Sequence, residues 1–184
     1  MEHFYDSIGG WGTYKDQGEL IKHIISNYSK EDKLKIAEIG VYLGKTTAIW
    51  NVELINSGFE YDYIAIDNFL GSKEHREGNS VPDYQLCLNN LTPIKDKINV
   101  LKSDSIEASK LYEDNYFDIV YIDASHEYED AKKDIEAWYP KVKTGGFICG
   151  DDYIQGWPGV IKAVNETIKQ TITIIGNQQW IAKK

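Results

Sequence analysis

Cysteine, methionine and proline are scarce in this chain of 184 residues, which holds two, one and four of them, respectively. Cys87 and Cys149 are far apart in the sequence, so the chain has neither a disulfide framework nor the close cysteine spacing of a zinc site. Cys149 also falls in a predicted buried strand. We therefore expect both cysteines to be small core residues of a protein in a reducing compartment, and we predict a cytoplasmic location.

Basic residues are also few. The 20 Lys and Arg residues are outnumbered by 29 Asp and Glu residues, and the formal net charge is -9. Binding to a nucleic-acid backbone requires a basic surface, so no nucleic-acid partner is expected. No apolar run approaches the roughly 20 residues of a membrane span, and residues 1–17 lack the basic and then apolar pattern of a signal peptide. The predicted partner is a small molecule, with no nucleic acid and no membrane.

The remaining composition is that of a folded α/β domain. Hydrophobic residues make up 42% of the chain and charged residues 27%, which is typical of a globular protein. The length suits one such domain, and the sequence shows no repeat or linker. We predict a single domain over residues 1–184, with a lead-in and a helix in residues 1–30 and the core in residues 34–184. The aromatic lead-in is expected either to pack on the flank of the domain or to cover the active site as a lid.

Residues 117–153 form the most informative stretch, because their pattern predicts a strand, a helix and a second strand. The first apolar run ends on Asp123, and the second is followed by Asp151 and Asp152. Parallel strands joined by a right-handed crossover are neighbours, so these three carboxylates should meet at the edge where open α/β sheets bind ligands. The alternative is that they are ordinary turn-forming residues.

Other apolar stretches predict five further strands. These are residues 34–39, 61–66, 99–102, 171–175 and 179–182. Polar residues follow the second and third of them, namely Asp67 and then Ser103, Asp104 and Ser105. The last two strands are separated by Gly176-Asn177, which predicts a tight hairpin turn. The long polar connection at residues 69–82 is the candidate for the substrate-side wall of a site.

A glycine-rich turn follows the first of these strands. Gly40 and Gly44 flank three residues, and a predicted helix begins directly after them, so its first N–H groups are available to a ligand. A P-loop requires four residues between its first glycine and the Gly-Lys-Ser/Thr sequence, so this turn is one residue short. The dinucleotide fingerprint Gly-x-Gly-x-x-Gly is absent as well.

The pattern Glu-x-Gly-x-x-x-Gly that begins at Glu38 resembles motif I of the class I S-adenosylmethionine-dependent methyltransferases, and the later strands follow in the order of that family. The resemblance implies a Rossmann-like, doubly wound α/β fold whose seven-stranded, mostly parallel sheet ends in an antiparallel hairpin. It also implies that Asp67 holds the ribose hydroxyls of the cofactor and that the segment after the third strand contacts the adenine. The implied cofactor-binding residues are Glu38, Gly40, Tyr42, Gly44, Thr46, Asp67, Ser103, Asp104, Ser105 and Asp123.

Within this family the central unit is similar to the small metal-dependent O-methyltransferases, both the catechol type and the related group marked by Asp-x-x-His-x-Tyr-Glu. The likeness implies Mg²⁺ or another divalent cation bound by Asp123, Asp151 and Asp152. The catechol type has Asn in place of the last of these residues. Its catalytic lysine lies at the position of His126, so His126 and Asp123 are the implied catalytic residues. His126 is expected either to take the proton of the acceptor hydroxyl or to orient a ligand of the metal.

The implied function is methyl transfer from S-adenosylmethionine to a hydroxyl group of a small metabolite such as a sugar, a phenol or an antibiotic-like molecule. Three alternatives stay open: a non-catalytic module that binds S-adenosylmethionine, a relative of the same fold that modifies metabolites by another reaction, and a P-loop-like NTPase. Methylation of adenine in DNA is not expected, because the chain is acidic and lacks the Asn/Asp-Pro-Pro-aromatic motif. The sequence is compatible with a homodimer.

Overall fold

The computed structural model describes residues 1–78 and 80–184, without the side chain of residue 74. Within this part of the chain, seven strands form one sheet in the order β3-β2-β1-β4-β5-β7-β6. The strands are β1 (Lys33–Ile39), β2 (Glu60–Asp67), β3 (Ile98–Lys102), β4 (Phe117–Ile122), β5 (Val142–Gly150), β6 (Thr173–Ile175) and β7 (Gln179–Lys183). Strands β1 to β5 run parallel, whereas β7 is antiparallel to both β5 and β6. The predicted mostly parallel sheet with a C-terminal hairpin is confirmed.

Helices cover both faces of the sheet. They are α1 (Tyr14–Ile25), α2 (Lys45–Asn56), α3 (Lys73–Glu77), α4 (Tyr84–Asn90), α5 (Ser105–Ser109), α6 (Tyr128–Trp138) and α7 (Pro158–Thr167). The core on one face includes Leu20 of α1 and Trp50 of α2, and the core on the other includes Trp138 of α6 and Val164 of α7. The fold is therefore doubly wound, as predicted. In the described residues, no helix is both long and apolar enough to cross a membrane.

Alternation along the central strands supplies these two cores. In β4, Ile119 and Tyr121 belong to the first core, while Val120 and Ile122 belong to the second. Successive side chains of a strand point to opposite faces, so a strand covered by helices on both faces is apolar at every position. This explains why the central strands appear in the sequence as continuous apolar runs.

Strand β5 begins at Val142 and runs through Gly145 and Gly146, a glycine pair that by sequence alone predicts the end of the preceding helix. The register with β4 shifts between Phe117 and Ile119, and a Cβ atom on Gly146 would lie 2.6 Å from the carbonyl oxygen of Asp118. Glycine therefore permits an irregular pairing here, and the strand continues through it.

The carboxyl ends of the parallel strands are tied together beyond the strands themselves. The backbone N–H of Gly40 donates to Ile66 O at 2.9 Å, and that of Asp123 donates to Ile39 O at 2.8 Å. The N–H of Asp151 likewise donates to Ile122 O at 3.2 Å. The residues that follow β1, β4 and β5 are consequently held side by side at one edge of the sheet.

Candidate active site

The turn after β1 is organised by a carboxylate from the neighbouring strand. Asp67 Oδ2 accepts hydrogen bonds from the backbone N–H groups of Val41 and Tyr42, both at 2.9 Å. Its Oδ1 accepts a third from the N–H of Phe69 at 2.7 Å. A carboxylate has about four lone-pair positions, so Asp67 can hold this turn and still accept a bond from a ligand hydroxyl.

Two glycines give the turn its shape. Gly40 has φ 91°, and a Cβ atom at this position would lie 1.9 Å from the carbonyl oxygen of Asp123. Gly44 precedes α2 with φ 87°, and a Cβ atom there would lie 2.9 Å from the side chain of Leu91. Other residues rarely adopt this backbone region, so both positions require glycine, and the Gly40 position allows the β1 and β4 ends to approach.

Glu38 lies beneath this turn and not on its open side. The side chain is fully buried, and its Oε2 accepts hydrogen bonds from Thr47 Oγ1 at 2.6 Å and from the Tyr63 hydroxyl at 3.0 Å. Burial raises the pKa of the Glu38 carboxyl from 4.5 to about 8, although both hydrogen bonds act in the opposite direction. Glu38 is therefore protonated at neutral pH and supports the turn from inside the core.

A cavity of about 510 Å³ opens on the carboxyl edge of the sheet, within the ~300–1,000 Å³ typical of ligand pockets. The predicted cofactor residues that line it are Gly40, Tyr42, Asp67, Ser103, Asp104, Ser105 and Asp123. The other three predicted cofactor residues, Glu38, Gly44 and Thr46, are not among the described residues that line this cavity. The last two lie at the start of α2, where Gly12 covers Thr46 at close range.

One end of the cavity is formed by α5 and α6. Asp104 caps α5, with its Oδ1 accepting from the N–H groups of Ile106 and Glu107 at 2.9 and 3.1 Å. Ser105 Oγ accepts a hydrogen bond from Trp138 Nε1 at 2.8 Å, and burial raises the pKa of the nearby Asp134 carboxyl to about 6 although the Ser105 hydroxyl acts in the opposite direction. This end of the cavity is therefore a polar wall with three carboxylates, since Asp130 of α6 lines it as well.

A second, smaller cavity of about 20 Å³ lies between the ends of β4 and β5. Asp123, His126 and Asp152 line it, and one ligand atom from each lies within 4.8 Å of the others. His126 Nε2 is 2.7 Å from Asp152 Oδ2, and the His126 ring stacks on Trp157 with centroids 4.1 Å apart. Asp152 adopts φ 64°, which is uncommon outside glycine and turns its backbone sharply after β5.

Asp151 also lines the small cavity, but its side-chain oxygens are bonded within a network of amide side chains. Its Oδ1 accepts from Gln178 Nε2 at 2.6 Å and from the Asp152 N–H at 2.7 Å, and its Oδ2 accepts from Gln17 Nε2 at 3.2 Å. Gln17 Nε2 also donates to the hydroxyl of Tyr121 at 2.7 Å. The structure thus brings two of the three predicted metal ligands together with His126 and places the third in an adjoining network.

The carboxylates at this edge are crowded. Burial and the negative charges of Asp151, Asp152 and Glu38 raise the pKa of Asp123 well above its usual range. Burial and the Asp152 charge also raise the pKa of Asp151. A divalent cation would relieve this repulsion. Two donors on one Mg²⁺ lie at most about 4.2 Å apart, twice the metal–oxygen distance, so the Asp123, His126 and Asp152 donors fit a cation after a small contraction.

Aromatic side chains stand over the opposite rim of the main cavity. Tyr42 stacks on His75 with ring centroids 5.0 Å apart, and Trp11 lies 5.1 Å from Tyr42 and 5.5 Å from His75. The N-terminal lead-in therefore crosses the glycine turn, while the segment at residues 69–82 supplies His75. Both positions expected for the lead-in occur, because Tyr5 and Ile8 are buried in the core of one sheet face whereas Trp11 lies beside two residues of the cavity wall.

Sequence reasoning missed several residues of the site. Asp134 lines the main cavity from the middle of α6, and Gln17 bonds to Asp151 from α1. Asp134 had a sequence signal, since it interrupts an apolar helix face that includes Ala131 and Ile135. Gln17 had none, because its partners come from strands far along the chain.

A family model described as a methyltransferase domain matches residues 37–153. This match spans β1 to β5, including the glycine turn, the Asp67 position and all three aspartates that follow β4 and β5. A curated relative from Acanthamoeba polyphaga mimivirus, described as an uncharacterised protein, is 28% identical over 164 residues. That alignment covers 85% of this chain and 68% of the relative.

Solved structures share the fold at low identity. The O-methyltransferase NovP superposes with a TM-score of 0.77 at 17% identity, covering 92% of this chain and 79% of NovP. CalS11, a calicheamicin methyltransferase, gives a TM-score of 0.65 at 13% identity over 89% of this chain and 77% of CalS11. An S-adenosylmethionine-dependent O-methyltransferase from Thermotoga maritima superposes with a TM-score of 0.63 at 13% identity. The superposition covers 98% of this chain and 71% of that enzyme.

Proposed function

We propose that this chain, which belongs to the methyltransferase domain family and is an S-adenosylmethionine-dependent methyltransferase, methylates a hydroxyl oxygen of a small polyhydroxylated molecule. A divalent cation is proposed to assist the transfer. The observation that carries the proposal is the position of the two cavities. The main cavity ends on Asp123, and the same residue lines the small cavity with His126 and Asp152. A methyl donor and an acceptor would therefore meet at Asp123.

Residues around the main cavity suit S-adenosylmethionine. Asp67 retains one acceptor position, on Oδ1, for a ribose hydroxyl, and the glycine turn allows close approach of a ligand to the backbone of residues 40–42. Ser103 and Ser105 line the end at which the base would lie. Glu38 supports the turn from below, so its contribution to binding is indirect.

Asp123 and Asp152 are the proposed carboxylate ligands of the cation, with His126 as a nitrogen donor or as the base. Asp151 is proposed as the neighbouring carboxylate that adds negative charge to the site. Its Oδ1 accepts two hydrogen bonds and its Oδ2 accepts one, so an acceptor position remains on Oδ2. Carboxylate oxygens suit Mg²⁺ or Mn²⁺, whereas an imidazole nitrogen favours a transition metal such as Mn²⁺ over Mg²⁺.

When bound, S-adenosylmethionine would supply an activated methyl group and a divalent cation would lower the pKa of a nearby hydroxyl, which leaves two tasks to the protein. The first task is to hold the acceptor oxygen in line with the methyl group, which the walls at Asp123 and His126 would do. The second is to take the hydroxyl proton. His126 is the proposed base, since its pairing with Asp152 stabilises the imidazolium that forms.

Sugars and phenols are the proposed acceptors. CalS11 is a TDP-rhamnose 3'-O-methyltransferase. Its ligand-free structure superposes on 89% of this chain with a TM-score of 0.59. In this chain, an acceptor with neighbouring hydroxyl groups could approach the cluster of Asp123, His126 and Asp152 from the rim that carries Trp11 and Tyr42. Both features favour an acceptor with a ring and more than one hydroxyl.

A calorimetric titration tests the two halves of the proposal. The purified protein is titrated with S-adenosylmethionine with and without Mg²⁺ or Mn²⁺, and then the metals are titrated alone. We expect cofactor binding without metal and metal uptake that is lost in Asp123→Asn. The exposed Asp96→Asn serves as the matched control, because it removes the same charge far from the site.

The outcomes are distinct. Absence of cofactor binding would contradict the assignment of the main cavity. Cofactor binding with metal uptake that persists in Asp123→Asn would contradict the cation site but leave the methyl-donor site standing. Where both expected results are obtained, a screen of sugars and phenols for methylated product by mass spectrometry tests the acceptor class.

A further inference from the structure

We propose that Asp134 recognises the adenine base of the methyl donor by accepting a hydrogen bond from its exocyclic amine. This inference rests on the proposed function, because it takes S-adenosylmethionine as the occupant of the main cavity. Asp134 lies in the middle of α6, outside the strand ends that carry the other predicted cofactor residues. It would make the site specific for an amino-substituted purine.

The burial of Asp134 is unusual for a charged residue. Its side chain is 7% exposed on a helix face that it shares with Ala131 and Ile135, and it nevertheless lines the main cavity. A carboxylate in such a place costs free energy unless it is hydrogen-bonded. The cavity side is the direction from which a ligand can reach it.

Ser105 adds a second polar group beside the Asp134 carboxylate. Trp138 Nε1 donates to Ser105 Oγ at 2.8 Å. Trp138 Nε1 is a donor only, so the single Ser105 proton is free to point to another acceptor, and the Ser105 hydroxyl lowers the pKa of Asp134. Even with a bond from Ser105, the carboxylate would use one of about four lone-pair positions. The remaining positions can only accept, so the complementary ligand group is a donor such as an amine.

The order of the strands indicates which end of the cofactor reaches Asp134. Asp67 is the last residue of β2 and lies in the middle of the cavity, and the proposed acceptor site at Asp123 lies to one side, after β4. If the ribose binds at Asp67 and the methyl group points to Asp123, the base must extend to the β3 side. There Ile66 and Ile106 offer apolar contact to its faces, while Ser105 and Asp134 offer polar contact to its edge.

Two further carboxylates line this end of the cavity. Asp104 Oδ1 accepts two backbone hydrogen bonds as the cap of α5, which directs it to the start of that helix. Asp130 is exposed, and its Oδ2 accepts from Ser125 Oγ at 3.1 Å. Asp134 is buried and lines the same cavity. It is therefore the better-placed acceptor for a ligand amine.

Comparison of two cofactor products tests the proposal. S-adenosylhomocysteine carries the amine, whereas S-inosylhomocysteine carries a carbonyl in its place. We expect the unmodified protein to bind the adenine compound about 10- to 100-fold more tightly, because the carboxylate would face the carbonyl oxygen of the other. An N6,N6-dimethyl analogue, which has no amine hydrogen, should lose a similar factor.

Asp134→Asn should change the selectivity itself. The asparagine amide can donate to the carbonyl of the inosine compound, so we expect the preference for adenine to fall to near unity or to reverse. Glu129→Gln is the matched control, since it removes one negative charge from an exposed position of the same helix and should retain the selectivity.

Equal affinity of the unmodified protein for the adenine and inosine compounds would overturn the proposal, even if Asp134→Asn does not fold. Unchanged selectivity in a folded Asp134→Asn would overturn it as well. If the unmodified protein binds none of the three compounds, the proposed function fails, which is a result distinct from the failure of the adenine contact.

Discussion

Glu38 shows how a single buried residue makes stability depend on pH. The pKa of its carboxyl is about 8 in the folded protein and 4.5 in the unfolded chain, because burial disfavours the charged form. Below pH 4.5 both states are protonated. As pH rises from 4.5 towards 8, the unfolded chain releases the proton while the folded protein keeps it. The folded protein is therefore destabilised progressively across this window.

Glu38→Gln should remove this dependence. Glutamine has nearly the same shape and its oxygen can accept from Thr47 and Tyr63, but it carries no charge at any pH. We expect the free energy of unfolding in urea to fall less steeply between pH 5 and pH 8 in Glu38→Gln, by up to about 1.4 kcal/mol for each pH unit. Parallel stability curves for the two proteins would show that Glu38 is not protonated in the folded state.

His126 is the residue at which the proton-transfer proposal can be tested directly. It lines the small cavity and not the wall of the main one, so its removal should leave cofactor binding unchanged. If it is the base, His126→Ala should lower kcat by about 100-fold or more. Steady-state assays measure kcat, and calorimetry with S-adenosylmethionine measures binding.

The exposed His23→Ala serves as the control for loss of a histidine, since it lies on α1. Turnover retained in a folded His126→Ala would contradict the role as base. It would favour the alternative in which His126 orients Asp152, to which its Nε2 is bonded at 2.7 Å.

At the scale of elements, the N-terminal lead-in is the segment whose role the sequence left open. Trp11 is 69% exposed, yet it contacts Tyr42 of the glycine turn and His75 of the connection after β2. Tyr5 and Ile8 of the same lead-in are buried in the core, so the first part of the lead-in packs on the domain. The exposed Trp11 ring beside two residues of the cavity wall favours the role of a cover for the second part.

Trp11→Ala should separate binding from stability. Because the ring is mostly exposed, we expect its loss to change the melting temperature little, while cofactor affinity falls by about 10-fold as the stacked group is removed. Leu111→Ala is the matched control, since Leu111 is 68% exposed and lies just beyond α5. Equal affinity for the cofactor in Trp11→Ala and the unmodified protein would show that the lead-in does not cover the bound ligand.

At the scale of the whole molecule, ligand binding should stabilise the folded state. S-adenosylmethionine at 100 times its Kd should add about 2.7 kcal/mol to the free energy of unfolding, and for a chain of this size about 1 kcal/mol raises the melting temperature by 2–4 °C. Thermal unfolding with and without the cofactor measures this shift. ATP at the same concentration should give none. A larger shift with ATP would favour the NTPase alternative.

The single domain over residues 1–184, the cytoplasmic location and the homodimer all stay predictions.

The sheet, by contrast, could largely be predicted from the sequence. Parallel strands covered on both faces are continuous apolar runs, and each central run was visible. The exceptions have local causes. The pair Gly145 and Gly146 predicts a helix stop although β5 passes through it, and the short helices α3 and α5 have too few residues to show a helical period.

The sequence by itself determined the fold class, the order of the strands along the chain and the polar residues at their ends, because periodicity and turn chemistry are local properties. Only the tertiary structure decided which of those residues meet. It joined Asp123 and Asp152 to His126, turned Asp151 towards Gln17, and placed Asp134 at the cofactor cavity. These pairings depend on side-chain direction and on contacts between distant segments, which no local pattern contains.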